Sequence, residues 1–143
     1  MEYMLEVVIV PVSDVDRSSA FYTERLGFRL DVDYWPSPVF RVVQLTPSGS
    51  ACSVQIGVGL TDAEPGSARG LYLVVPDLEA TRAELARRGV DVGQIRHKAP
   101  VETWQGGFEP GADPEHRDYA SFAEFNDPDG NVWTLQERGF PPS

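Results

Sequence analysis

The chain has 143 residues, with 22 acidic side chains against 12 basic ones and a formal net charge of −10. This length suits one compact domain with a hydrophobic core of its own. Nucleic acids are bound through clustered Lys and Arg side chains, so the acidic balance predicts no nucleic-acid partner. A membrane span needs about 18 or more apolar residues in a row, and because the sequence has no such run we expect no membrane partner. A single cysteine, Cys52, and a start without a basic, apolar leader predict a cytoplasmic protein.

The first half of the sequence predicts one strand, one helix and three further strands. Residues 5–12 are rich in β-branched side chains, which is typical of a buried strand. Asp14 is a suitable helix cap and Gly27 a favourable helix end, so we expect a helix over 15–26. The strands that follow are predicted at 28–35, 40–46 and 51–58.

The second half repeats this order after a linker at 61–69. A strand at 70–76 precedes a helix that Asp77 caps and Gly89 ends. The remaining predicted elements are a strand at 90–96, a long loop over 98–118, and two strands at 119–126 and 131–137 joined by the turn 127–130.

The two halves match in detail, which indicates an internal repeat. Asp14 and Asp77, which begin the two helices, are 63 residues apart, and the glycines that end them, Gly27 and Gly89, are 62 apart. A repeat of this size in a chain about twice as long is typical of paired structural modules. We therefore predict a single α+β domain over 1–143, with module one at about 5–60 and module two at about 68–138.

The motifs of both modules resemble those of one superfamily. Each helix opens on Val-x-Asp-(Val/Leu)-(Asp/Glu), Phe21-Tyr22 precedes Leu26-Gly27-Phe28, and the last hairpin contains Asp127-Pro128-Asp129-Gly130-Asn131. Over about residues 5–138 the chain resembles the vicinal oxygen chelate proteins, the glyoxalase, bleomycin-resistance and extradiol-dioxygenase superfamily. The resemblance implies two tandem βαβββ modules that form a curved mixed sheet around a central cavity, and a homodimer.

The positions at which enzymes of this superfamily hold a divalent metal differ here. The resemblance implies a His on each module's first strand and a Glu on each last strand, and the matching residues are Val7, Gly70, Gln55 and Thr134. None has the imidazole or carboxylate that such a metal prefers. We therefore expect no metal and no other cofactor. A divalent metal held by other residues is the alternative.

Strand periodicity indicates which side chains line the expected cavity. The positions that share a face with the altered ligand positions are Val7, Gln55, Gly70, Tyr72, Thr134 and Gln136.

Hairpin register adds further candidates. If the turn at 47–50 pairs Leu45 with Ala51, Arg41 faces Gln55 and is placed to hold an anionic ligand group. The alternative interpretation is that Arg41 is a surface residue on an edge strand.

The last hairpin has two possible registers. If it pairs Asn126 with Asn131, the odd-numbered residues of the preceding strand face inward, among them Tyr119 and Ser121. A single bulge would instead turn the even-numbered residues inward, among them Glu124.

The long loop carries two large aromatic residues, Trp104 and Phe108, on either side of Gly106-Gly107. Loops of this length in compact domains are often lids or binding loops. We expect the two rings either to cover the cavity mouth or to pack on a sheet edge or a dimer partner.

Three functions compete. The first is a protein that binds a small organic molecule in the inter-module cavity without the superfamily's metal, like its antibiotic-sequestering members. The second is a lyase, isomerase or dioxygenase-type enzyme acting on a small metabolite, metal-free or with relocated ligands, for which Glu124, His116 and Tyr119 are the acid–base candidates. The third is a structural or regulatory dimer with a vestigial cavity.

Overall fold

A computed structural model describes residues 1–100 and 102–139. Within these residues the chain forms nine strands and two helices. In chain order they are β1 (Val7–Ile9), α1 (Val15–Ala20) with a π-helical continuation (Phe21–Arg25), β2 (Arg29–Ser37), β3 (Phe40–Thr46), β4 (Ser53–Val58), β5 (Leu71–Val75), α2 (Leu78–Arg87), β6 (Arg96–Lys98), β7 (Phe108–Pro110), β8 (Ser121–Asn126) and β9 (Val132–Glu137).

The chain divides into two compact units. Unit 1 comprises Met1–Ala68 together with Asp127–Asn131, and unit 2 comprises Arg69–Asn126 and the chain from Val132 onward. Each unit has its own sheet and its own helix. The predicted α+β class is confirmed in this form, with two mixed sheets of four and five strands, and the described strands close no barrel.

Both helices begin and end where the sequence predicts. The side chains of Asp14 and Asp77 each accept a hydrogen bond of 3.0 Å from a backbone N–H of the first helical turn, which satisfies a donor that the helix itself leaves unpaired. Gly27 and Gly89 follow the helices with φ angles of 77° and 84°, which a residue without a Cβ adopts at little cost.

Unit 1 contains a four-stranded sheet in the order β1-β4-β3-β2. β1 runs parallel to β4, with Val8 opposite Val54, and the other neighbours are antiparallel. Helix α1 packs against β4, and the core beneath it contains Val43, Leu45 and Ile56, whose side chains are fully buried.

The turn between β8 and β9 belongs to unit 1 and is held there by a buried hydrogen-bond network. One carboxylate oxygen of Asp127 accepts bonds from the hydroxyl of Tyr22 (2.7 Å) and the side-chain amide of Asn131 (2.8 Å). The same amide donates to the carbonyl of Pro11 (2.8 Å), and the side-chain oxygen of Asn131 accepts from the backbone N–H of Ala68 (2.9 Å). These bonds fix the end of β1, the π-helical turn and the connector after β4.

Unit 2 contains a five-stranded sheet in the order β5-β9-β8-β6-β7, in which only the β5–β9 pair is parallel. Helix α2 packs against β8 and β9. The core on this side includes Leu78, Leu135 and the stacked rings of Phe125 and Trp133, whose centroids are 6.3 Å apart.

One strand prediction is wrong over most of its length. Residues 90–95 form no strand, and β6 begins only at Arg96. The apolar pattern that suggested a strand reflects core packing, because Val90 and Val92 are both buried. The long predicted loop instead contains a short strand, β7, which pairs with β6 in a hairpin.

The hydrogen-bond network at this turn predicts that the stability of the fold depends on the hydroxyl of Tyr22. Replacing Tyr22→Phe removes a hydrogen bond to a buried carboxylate, so we expect the free energy of unfolding to fall by about 2 kcal/mol. Urea denaturation measures this change, and Tyr34→Phe is the matched control because the Tyr34 ring is 58% exposed. Equal effects of the two substitutions would contradict a stabilising role for the Asp127 network.

Candidate functional site

Each sheet has one face that packs against the helix of its unit, and we call the opposite face the open face. In unit 1, the paired residues Ile9, Gln55 and Gln44 share the open face. The Gln55 side-chain amide donates to the Gln44 side-chain oxygen (3.0 Å). Val7 lies on the same face and is half-buried. The face is therefore apolar with one pair of neutral amides.

The predicted register that placed Arg41 opposite Gln55 is wrong. Leu45 pairs with Val54, not with Ala51, which turns Arg41 to the helix side. The longer connection between β3 and β4 moves the pairing by an odd number of residues, and such a shift exchanges the two faces.

Arg41 forms an internal ion-pair network in its actual position. Its guanidinium donates two hydrogen bonds to Asp33 (3.0 and 2.9 Å) and one to Asp16 of α1 (2.9 Å), and it lies 4.4 Å from the ring centroid of Trp35. The bond to Asp33 raises the pKa of Arg41, and the same bond lowers the pKa of the Asp33 carboxyl. This cation thus joins β2, β3 and α1 within unit 1.

The open face of unit 2 carries most of the predicted contact residues. Tyr72 pairs with Thr134, which in turn pairs with Glu124. Tyr72 is exposed, Thr134 is buried, and the Gln136 side chain donates to the carbonyl of Tyr119 (3.0 Å).

Gly70 directly precedes β5 and has a φ of 75°. A Cβ built there would meet no atom within 4 Å. The space beside this position is thus open within the described part of the chain.

The last hairpin adopts the second of the two predicted registers. Asn126 pairs with Val132, so the even-numbered Phe122 and Glu124 share the open face with Thr134. The inward orientation predicted for Ser121 is wrong: this residue lies on the helix side, is fully buried, and accepts a hydrogen bond from the backbone N–H of residue 113 (2.9 Å).

Tyr119 precedes β8 and has a positive φ of 67°. Its hydroxyl accepts a hydrogen bond from Arg138 (3.3 Å). The predicted strand position of Tyr119 is wrong, because β8 begins two residues later.

Trp104 and Phe108 form an aromatic cluster with Phe122. Both rings meet Phe122 edge-on, with centroid distances of 6.2 Å and 5.5 Å. Phe122 is buried, whereas Trp104 and Phe108 keep 41% and 46% of their surface exposed. Trp104 and Phe108 thus pack on the central strand β8 of the unit 2 sheet and still present ring surface to solvent.

Two cations lie beside this cluster. The guanidinium of Arg96 and the ammonium of Lys98 are 4.6 Å and 4.7 Å from the ring centroid of Phe108. Arg96 also forms an ion pair with Glu124 (3.3 Å). Sequence reasoning missed both cations, although residues two apart on a strand share a face. The displaced start of β6 hid this signal.

The four positions that match the superfamily's metal ligands do not fit a divalent ion. Val7 and Gly70 have no donor atom, the Gln55 amide is bonded to Gln44, and Thr134 offers a neutral hydroxyl. Among residues 1–100 and 102–139, no three His, Cys, Asp or Glu side chains are grouped so that they could hold a metal.

The three acid–base candidates are each engaged in another contact. Glu124 binds Arg96, and the Tyr119 hydroxyl lies beside Arg138. His116 Nδ1 is 2.8 Å from a carboxylate oxygen of Glu137, whose other oxygen accepts the backbone N–H at the start of α2 (2.8 Å).

A cavity of about 330 Å³ lies in unit 1 at the carboxyl ends of β1 and β4. The connector over 59–65 forms one wall, with Leu60, Asp62 and Glu64 among the lining residues. None of the eleven predicted contact residues is among those that line this cavity.

The His116–Glu137 pair predicts a pH-dependent contribution to stability. The hydrogen bond to Glu137 raises the pKa of His116 above its ordinary value of 6.5. The pair therefore stabilises the fold fully below pH 6.5, and this contribution is lost as the pH rises through the raised pKa of the folded state.

We expect the difference in unfolding free energy between the wild type and His116→Gln to be largest near pH 5.5 and to shrink towards pH 9. Urea denaturation at several pH values measures it, with His97→Gln as the control. A difference that stays constant with pH would contradict this assignment.

Comparison with known proteins adds independent findings. The family model of the Glyoxalase/Bleomycin resistance protein/Dioxygenase superfamily matches residues 4–135. A search of curated proteins gave no match. In the part of the chain that the structure describes, no helix has the length and apolar character needed to cross a bilayer.

Solved structures similar to this chain cover nearly its full length. TnmS3, an antibiotic binding protein from Streptomyces sp. CB03234, is 32% identical with a TM-score of 0.73, and the match covers 96% of this chain and 98% of that one. A glyoxalase/bleomycin resistance protein from the same organism is 33% identical with a TM-score of 0.68, covering 93% and 99%. A member of the superfamily from Sphaerobacter thermophilus DSM 20745 is 26% identical with a TM-score of 0.71, covering 96% and 98%.

Both units follow the order of one strand, one helix and then further strands, three in unit 1 and four in unit 2. The family model matches nearly the whole chain, in agreement with this repeat. The chain belongs to the glyoxalase/bleomycin resistance protein/dioxygenase superfamily.

Proposed function

We propose that this protein binds a small organic molecule without a bound divalent metal. The observation that carries the proposal is the chemistry of the open sheet faces. Where enzymes of the superfamily place metal ligands, this chain has one apolar side chain, one glycine, one amide and one hydroxyl. Mainly apolar surfaces with a few neutral polar groups are typical of sites for small organic molecules.

The open face of unit 2 would offer exposed aromatic rings to a ligand. Tyr72, Trp104 and Phe108 are 56%, 41% and 46% exposed. A ligand that covers these exposed rings lowers the free energy of the complex by about 25 cal/mol for each Å² of apolar surface removed from water. Thr134 and Gln136 would add hydrogen-bonding groups on the same face.

The open face of unit 1, taken by itself, would offer contacts of another kind. Val7 and the hydrogen-bonded pair of Gln44 and Gln55 present one apolar group and two amides. An amide pair of this kind donates and accepts hydrogen bonds with uncharged ligands.

The similarity to TnmS3 supports a ligand of the antibiotic class. That protein is described as an antibiotic binding protein, and the two chains are 32% identical over nearly their whole length. A binding role, unlike catalysis, does not require a side chain that is free to take up or release a proton.

The expected homodimer and the cytoplasmic location stay predictions, which sedimentation velocity and cell fractionation test directly.

The proposal predicts that the protein carries no metal when purified without chelator. We expect elemental analysis to find less than about 0.1 equivalent of Zn, Mn, Fe or Ni per chain, because the family positions lack imidazole and carboxylate groups. Addition of these ions should leave the melting temperature unchanged. One equivalent of tightly held metal would contradict the metal-free part of the proposal.

Binding itself is tested with a collection of antibiotics in a thermal-shift screen. A ligand present at about 100 times its dissociation constant stabilises the folded state by about 2.7 kcal/mol, which corresponds to a rise in melting temperature of roughly 6 °C or more. Equilibrium dialysis then measures the affinity. If no compound binds, the proposed function is wrong.

The three tryptophans allow the site to be located. With fluorinated tryptophan, we expect the ¹⁹F resonance of Trp104 to shift on binding, because its ring is 41% exposed beside Phe108. Trp133 is buried and is the internal control. A ligand that binds but leaves the Trp104 resonance unchanged would exclude the loop aromatics from the site.

A further inference from the structure

We propose that Lys98 and the aromatic cluster of Trp104, Phe108 and Phe122 form a subsite for a planar aromatic ligand that carries one anionic group, such as an aryl carboxylate. This inference rests on the proposed function and names the chemical class of its ligand. Four observations support it: the unpaired charge of Lys98, the second cation at the same ring, the exposed aromatic surface, and the local charge balance.

Lys98 is the single lysine of the chain. Its ammonium contacts the Phe108 ring (4.7 Å to the centroid) and the carbonyl of Gly106 (3.4 Å). Among the described residues, no carboxylate lies within 4.0 Å of it. An ammonium group has three N–H donors. Those that are not used within the protein are able to donate hydrogen bonds to a ligand carboxylate.

A second positive charge at the same ring makes an anion favourable there. Arg96 lies 4.6 Å from the Phe108 centroid, so both cations share one aromatic neighbour. Each of these cations attracts a negative charge that lies beside the ring. A hydrogen bond between ionised partners is stronger than one between neutral groups.

The aromatic surface next to the cations selects a flat ligand. Trp104 and Phe108 both pack edge-on against Phe122 and remain about half exposed. A planar ring system would extend this cluster by offset or edge-to-face contacts, which are the preferred arrangements of aromatic pairs.

The local charge balance favours a monoanion. Arg96 and Lys98 contribute two positive charges, and Glu124, which pairs with Arg96, contributes one negative charge. The charge of +1 that these three side chains leave on the open face matches a carboxylate or phenolate better than a doubly charged phosphate. The net charge of −10 does not prevent this, because salt at about 0.15 M screens charges beyond about 8 Å.

The test uses two probes of nearly equal shape, 2-naphthoate and its uncharged analogue 2-naphthamide, with isothermal titration calorimetry. We expect the wild type to bind naphthoate about tenfold more tightly than naphthamide, which is the effect of one charge-assisted hydrogen bond. Lys98→Met should lower the affinity for naphthoate about tenfold and leave the affinity for naphthamide unchanged. Lys98→Arg should keep most of the preference.

Arg87→Met is the control for net charge, because it removes one positive charge from an exposed position on α2 (68% side-chain exposure). It should change neither affinity. The melting temperature of each variant checks that it folds. Reductive ¹³C-methylation keeps the charge and gives a single lysine signal, which should shift during the naphthoate titration.

The outcomes separate this inference from the proposed function. If the wild type binds both probes equally, or if Lys98→Met leaves the naphthoate affinity unchanged, the subsite is wrong while small-molecule binding stands. If neither probe binds at millimolar concentration but antibiotics do, the subsite is again wrong. If nothing in either set binds, the proposed function itself fails.

Discussion

The carboxylate of Asp127 is the point on which unit 1 depends. It is buried at the turn after β8, where it accepts a hydrogen bond from Tyr22 and orients the side-chain amide of Asn131. That amide in turn holds the carbonyl of Pro11 and the backbone N–H of Ala68. A buried carboxylate is tolerated only when donors surround it. Four segments distant in sequence must therefore meet at this turn for unit 1 to form.

This constraint explains why the chain retains the superfamily fold without the superfamily's metal ligands. The motif Asp127–Asn131 and the caps Asp14 and Asp77 act on backbone groups and on buried partners, away from the open faces. Val7 and Gly70, in contrast, stand where ligands would be: Val7 is half-buried on the open face, and a Cβ built at Gly70 would meet no atom within 4 Å. Alternation along the strands keeps these two sets of residues separate, so the open face can change its chemistry while the helix side keeps its packing.

The sequence predicts the elements well and the hairpin registers poorly, for a physical reason. Caps and glycine ends are local signals, and the helices begin and end where those residues stand. Register depends on the geometry of a turn that residue types do not determine. β3 has apolar residues on both faces, so its pattern fitted either orientation of Arg41. The last hairpin showed the same ambiguity, which the pairing of Asn126 with Val132 resolves. The cation pair at Arg96 and Lys98 was missed because β6 begins later than the apolar pattern suggested.

The acidic net charge of the chain does not describe the charge at the candidate site. Many of the carboxylates act within the fold itself: Asp14 and Asp77 cap helices, Asp127 organises a turn, and Glu137 accepts from the first N–H of α2. These carboxylates already accept hydrogen bonds from backbone groups of the fold. The Lys98 ammonium, by contrast, contacts the carbonyl of Gly106 and the ring of Phe108, and no carboxylate among residues 1–100 and 102–139 lies within 4.0 Å of it. On the open face of unit 2, Lys98 and the Arg96–Glu124 pair together therefore carry a charge whose sign is opposite to that of the whole protein.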